Sequence, residues 1–351
     1  MPCVAHNFQL IINDGLKLSL EYEALIEKVS KNIVTKSKCC VAIAEELRAL
    51  HIQLCKKNLT RWNSTLFMIR SVLKLTPTDF QNIKAQLPTK TAAQLEVKNN
   101  FGISKKEREM LIELKDVLQM FEFVTDEIQT NDVSISRVYP CINYLRKGLS
   151  DERPFKYTTQ LRSDLLVSLN ERFVNIEDKK DFVFSTFLDP NFGIKSFEAD
   201  LKVKVKSQLA CTLKLEILKK QAKESVVNVC LNNNINSKRS KKDGERTNNY
   251  IYYGDCENEE ENDDVEREIE EYIRTIKSSS FDCALKFWKS NQFKFPNLAN
   301  LAMKYLGIPA SSAAVERMFS IAGHIFSLKR RRMGVKIFCE LVFLKLNEFF
   351  L

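Results

Sequence analysis

The chain holds 351 residues, 44% of them hydrophobic and 28% charged, with a formal net charge of +9. That is enough chain for two domains with cores of their own, and only nine Gly and eight Pro exclude a turn-rich all-β fold. No apolar run approaches the ~18 residues that a membrane span needs, so no membrane partner is expected. The ten Cys lie singly or as the pair Cys39 and Cys40, with no C-x-x-C, and the first residues show neither a basic n-region nor an apolar h-region. This is the pattern of a reduced, intracellular protein, and its positive balance favours an anionic partner.

In chain order, "LCKKNL" (54–59) reads as a short strand running into a helix over Thr60 to Lys74. There Trp62, Thr65, Leu66, Ile69 and Leu73 fall at helical spacing, and Asn63 or Ser64 is the expected N-cap. From Ser104 to Thr130, apolar residues recur every three or four positions, the clearest amphipathic helix of the chain. Further helices are expected over Ser136 to Leu149, Tyr157 to Arg172 and Leu201 to Lys223. "DFVFSTFLDP" (181–190) is aromatic and β-prone, and its Pro190 disfavours helix at Asp189.

Residues 228–265 turn Asn-rich, then basic ("SKRSKK", Ser237 to Lys242), then strongly acidic, with few apolar residues to bury. They read as a disordered linker whose basic run suits a nuclear import signal or a phosphate-binding arm. A helix is expected from about Glu266 to Lys277. The segment from Phe281 to Leu351 reads as a second compact helical unit.

Within that unit, "GIPASSAAVERMFSIAG" puts Ser311 or Ser312 at a helix start and Val315, Met318, Phe319, Ala322 and Phe326 on its buried face. Glu316 lies four places after Ser312, one too many for a capping box. A first-turn Glu favoured by the helix dipole is the plain structural reading. The last helix, Ile337 to Phe350, is apolar on more than one face, which means deep burial or a shared partner surface.

"PNLANLAMKYLGIPASSAAVERMFSIAG", followed by "KRRRM" and "LVFLKLN", resembles the C-terminal dimerisation region of the hAT superfamily of DNA transposases and of the BED zinc-finger proteins derived from them. The residues carrying the resemblance are Ser312, Glu316, Arg317, Phe319, Ser320, Arg331 or Arg332, and Asn347. "CVAHNFQLIINDGL" (Cys3 to Leu16) is similar to the family's C-x-x-H segment and "LTRWNSTLFMIR" to its T-R-W-N-S-T segment. "FLDPNF" (Phe187 to Phe192) is similar to its L-D-P-x-F segment, with Gly193 where a Lys is usual.

The resemblance implies a mainly α fold with a small β component: a partial RNase H-like core interrupted by an all-helical insertion, plus a C-terminal helical dimerisation region. The implied divisions are 1–75 for the core remnant, 76–227 for the insertion, 228–265 for the linker and 266–351 for the dimerisation region. Family members cut DNA with two Asp and one Glu holding two divalent metals, because in-line phosphoryl displacement builds charge on both attacking and leaving oxygens. Glu316 matches that Glu. The two Asp would lie before the C-x-x-H segment, and this chain begins two residues before Cys3, so Glu316 is expected to be an orphaned ligand. Asp14, in an "NDG" turn, is a poor substitute. No cofactor is then expected in this chain, a divalent metal such as Mg belonging only to an intact parent enzyme, and the chain as given is expected not to be an enzyme.

By the same resemblance His6 stands near the scissile phosphate, whereas a lone His on an apolar helix face reads as core, the reading favoured when the Asp pair is missing. Trp62 resembles an aromatic that stacks on a flipped base, and a core Trp at a domain junction remains open beside it. Arg61, Lys329, Arg330, Arg331 and Arg332 are candidates for DNA backbone contact, and Phe319, Met318, Leu341 and Leu344 for self-association. The expected protein is nuclear, associates with itself and contacts DNA. Two alternatives stand beside it: the C-terminal half of an active DNA-cutting transposase whose start is misplaced, and a helical dimerising scaffold that binds no DNA.

Overall fold

The computed structural model describes residues 3–58, 61–130, 134–151, 155–235, 259–277, 281–326 and 333–347, and among them no strand occurs. Two compact units divide the chain: Met1–Ile176 with Pro309–Leu351, and Glu177–Ile308.

The first unit starts with α1 (Val4–Leu18), α2 (Leu20–Lys28), a π-helical stretch (Val29–Thr35), α3 (Lys36–Cys39), α4 (Val41–Ala49) and α5 (Asn63–Leu73). It continues with α6 (Pro77–Gln86), α7 (Ala92–Asn100), α8 (Lys105–Ile128), α9 (Val138–Leu149) and α10 (Thr159–Arg172). Three of these starts are written in the sequence. Thr76 with Asp79, Thr91 with Gln94, and Ser104 with Glu107 each form a reciprocal capping box that satisfies two of the orphan amides of a helix N-terminus.

Along α1 the spacing of Val4, Phe8, Ile11, Ile12 and Gly15 buries one face. Phe8, fully buried, meets the rings of Phe121 on α8 and of Phe173. Gly15 lets α1 approach α10 so closely that a Cβ would lie 2.6 Å from Leu165 Cδ2. Asp14 faces the same helix, accepting from Ser168 Oγ at 3.0 Å and from Arg172 at 2.5 Å. Its partial burial pushes the carboxyl up, the bonds from Arg172 and Ser168 outweigh that, and the net direction is down. Asp14 is thus a helix-to-helix tie.

In the second unit, α11 (Lys180–Leu188), α12 (Ala199–Ile235), α13 (Glu259–Ile276), α14 (Ala284–Asn291) and α15 (Pro296–Leu306) enclose an aromatic centre. Residues 181–188, β-prone by composition, are helical. Phe182 through Leu188 are all buried, with Ser185 and Thr186 satisfied by donating to Phe182 O, so this is a helix covered on every side, and no neighbouring strand exists among the described residues to pair with. Pro190 ends it as expected, with Asp189 extended at ψ 115°. The last carbonyls find aromatic donors: Tyr272 Oη gives to Phe187 O at 3.0 Å and Trp288 Nε1 to Leu188 O at 2.7 Å.

Gly193 adopts φ +53°, and a Cβ there would lie 2.3 Å from Ile276 Cδ1, so backbone and packing both favour glycine at this position. Glu268 on α13 caps α15, accepting from the backbone N–H groups of Asn297 at 3.1 Å and Leu298 at 2.9 Å. α12 runs on to Ile235 and α13 begins at Glu259, so helix takes up both ends of the expected linker, while 236–258, with the basic run Ser237 to Lys242, lie outside the described residues.

The first unit closes with α16 (Ala313–Ile325) and α17 (Val335–Leu346). These two pack as a hairpin, with Phe326 edge-on to Phe338 at 5.7 Å. The expected buried face of α16 is not buried. Val315, Phe319 and Phe326 are exposed and Met318 and Ala322 half-exposed, because none of the described residues of this unit covers them. The helical spacing of these apolar residues thus marks one face of α16, but not a buried one. The short strand expected over 54–59 is extended chain through Asn58 without a ladder. The helix after it is entered at Trp62, Ser64 Oγ instead donating to Arg61 O and accepting from the N–H of Asn58.

Candidate functional site

In the first unit, three segments far apart in sequence meet around a polar groove of about 420 Å³: the start of α1, the entry to α5 and the start of α16, with Thr125 and Gln129 from the end of α8. The bend before α16 is fixed by backbone bonds. Val4 N donates to Ala310 O at 3.0 Å, and Ala310 N donates to the buried Ser134 Oγ at 3.1 Å. Ser312 then donates its backbone N–H to Cys3 Sγ at 3.4 Å, and its hydroxyl oxygen lies 3.4 Å from the same sulfur. Partial burial pushes the Cys3 thiol up; the donors from Ser312 and the N–H groups of His6 and Ala5 outweigh it, so its pKa lies below the ordinary value.

Glu316 projects from the first turn of α16. It accepts from Ser312 Oγ at 2.8 Å and lies 4.0 Å from Arg61 Nη2, both ionic side chains being well exposed. A pair so open and so long contributes little stability. Ser311 Oγ accepts from Ala313 N at 3.0 Å, and no capping box forms, as the spacing predicts. Arg317 reaches over to Gln129 O at 3.4 Å.

The structure brings Glu316, His6, Arg61 and Trp62 together in this groove. His6 is exposed on its wall, which overturns the core reading: it lies off the buried stripe of Val4, Phe8 and Ile11. Trp62 lines the groove but is only 6% exposed, so little of it is open to a partner, and its backbone N–H donates to Gln9 Oε1 at 2.8 Å. Lys329, Arg330, Arg331 and Arg332 lie outside the described residues. Among the self-association candidates Phe319 is 65% and Leu344 47% exposed, with Met318 and Leu341 half-exposed.

Sequence reading missed Arg317, Gln9 and Gln129 as groove residues. Arg317 stood in the quoted motif beside Glu316; the two glutamines carry no local signal, since only packing aims them here. As a metal site the groove does not fit a divalent pair. Hard cations need several anionic oxygens, and among the described lining residues Glu316 is the one carboxylate, set beside Arg61 and Arg317.

No helix among the described residues is long and apolar enough to cross a membrane. Residues 266–348 match the model of the hAT family C-terminal dimerisation region. The match takes in most of α13, with α14 and α15, in the second unit, and α16 and α17 in the first. The chain is 21% identical over 360 residues to Zinc finger BED domain-containing protein 4 of Homo sapiens, covering 99% of this chain and 29% of that protein. It is 24% identical over 355 residues to a Zea mays protein named as an AC transposase, covering 95% of this chain and 42% of that protein. The chain thus spans less than half the length of either relative, and it carries, over residues 266–348, the hAT family C-terminal dimerisation region.

Proposed function

We propose that this chain is a self-associating, DNA-contacting segment of an hAT transposase-derived nuclear protein. The observation that carries the reading is the uncovered apolar surface of α16 and α17, inside the matched dimerisation region: Val315, Phe319, Ile337, Phe343 and Leu344 are all exposed in the single chain. A helix apolar on several faces is stable only when covered, and a second copy is the cover that the family match favours. The groove supports the DNA part, with Arg61 and Arg317 at its edge, His6 on its wall and neutral amides between, donors suited to phosphate oxygens. That the C-x-x-H, T-R-W-N-S-T and Ser-x-x-x-Glu segments converge there supports a partial RNase H-like core.

By itself the segment is proposed not to cut DNA, because Glu316 shares its groove with guanidinium groups and not with further carboxylates. A second reading, favoured by the greater length of both relatives, makes the chain the C-terminal part of an active transposase in which carboxylates outside it would complete the site. Light scattering of the full chain tests self-association, a monomer at micromolar concentration overturning it. Mobility shift against random duplex tests DNA binding, and no shift at low salt leaves the scaffold reading. Incubation of duplex with the chain and Mg²⁺ tests the last point: cleavage would overturn the non-catalytic reading.

A further inference from the structure

The second unit carries a surface that none of this uses. The turn between α14 and α15 is firmly built: Asn291 O accepts from the N–H groups of Lys294 and Phe295, both within 3.0 Å, and Phe295 is fully buried among Tyr272 and Trp288. Anchoring Phe295 in this way leaves Phe293 91% exposed on an ordered turn. Phe293 borders a groove of about 610 Å³ whose apolar side is Leu285, Trp288, Ala299 and the 57% exposed Met303, and whose rim holds Lys286 and Lys289. Among the described residues no carboxylate lines it.

We propose that this groove docks an amphipathic peptide with acidic flanks. Apolar anchors of such a peptide would fill the space between Phe293, Leu285 and Met303 while its carboxylates meet the two lysines, as helix-in-groove recognition requires. Duplex DNA is a poorer fit, because a stiff polyanion neither fills a side-chain-sized apolar groove nor gains much from two cations. A second copy meeting this face close to a two-fold axis would set the two lysines near those of the partner with no carboxylate among the lining residues to offset them, so an acidic peptide is the better complement.

Fluorescence polarisation on the full chain tests this with two labelled peptides, one bearing leucines at i, i+3 and i+7 with glutamates between, the other with lysines for the glutamates. The glutamate peptide is expected to bind at roughly 10–100 μM and the lysine peptide far more weakly. Lys286→Glu with Lys289→Glu, and separately Phe293→Asp, should weaken the glutamate peptide at least tenfold. Met303→Glu serves if either variant melts early. Equal binding of both peptides, or indifference to all the variants, overturns the proposal. So does loss of oligo-dT binding on Phe293→Ala without loss of peptide binding, which would assign the ring to base stacking, or conversion of an oligomer to monomer by Phe293→Asp, which would assign the surface to a second copy.

Discussion

Ser312 donates its backbone N–H to the sulfur of Cys3 across 309 residues of sequence, and this junction helps set Glu316, Arg317 and Arg61 around one groove. If the groove contacts DNA phosphates, Arg61→Ala and Arg317→Ala should each weaken duplex binding and lower the slope of log affinity against log salt by about one. The loss should be uniform across duplex sequences. Titrations at three salt concentrations check it; unchanged slopes would remove the groove from the DNA contact.

Phe319→Asp and Leu344→Asp should each turn a self-associating chain into a monomer by light scattering, with an unchanged melting temperature of the separated chain. Both side chains are exposed in the single chain, so an early melt would mean that they pack intramolecularly instead.

Gly193→Ala should destabilise the second unit by about 1–3 kcal/mol, because the left-handed backbone and the 2.3 Å approach of Ile276 Cδ1 both oppose a side chain. A lowered urea midpoint at constant slope is the expected result. Replacement of Ile276 by Ala in the same chain should relieve the steric part only.

Tyr272→Phe removes one oxygen and leaves the buried carbonyl of Phe187 without the bond it now receives at 3.0 Å. The expected loss is about 1–3 kcal/mol by urea unfolding. Burial, with the charge of Asp189 as a smaller cause, holds this phenol well above its ordinary pKa, so its bond should persist through mildly alkaline solution.

Glu113 holds the turn that leads into α10, accepting from the backbone N–H groups of Lys156 and Tyr157 at 3.0 Å and of Thr158 at 2.9 Å. Partial burial pushes its carboxyl up, but those amides and the Thr158 hydroxyl outweigh it and the pKa is lowered. A lowered folded pKa stabilises above the unfolded value, about 4.3, and that contribution is lost as pH falls through the folded value. Glu113→Gln should therefore be less stable than the parent at neutral pH, with the gap closing below about pH 4. A gap independent of pH would show that charge plays no part.

What could be read from the sequence was local. The capping box at Ser104 and the stripe of α8, the stop at Pro190 and the missing box at Ser312 follow from spacing and backbone sterics within a few residues. The ordered motifs carried the family, because they are a record of residue order and need no coordinates. Helices α2 to α4 escaped it, although Tyr22, Leu25, Ile26, Val29 and Ile33 recur at helical spacing and are buried.

Tertiary structure decided the rest. Residues 181–188 are helical because they are enclosed on every side, and composition does not distinguish that from a buried strand. His6 is exposed and Trp62 buried because packing between segments far apart in sequence decides which face meets solvent. Gln9 and Gln129 joined Glu316 only through packing across the fold. A sequence states which residues want cover; where the chain supplies that cover, as at α11, and where it leaves the want unmet, as at α16 and α17, depends on contacts between residues far apart along it.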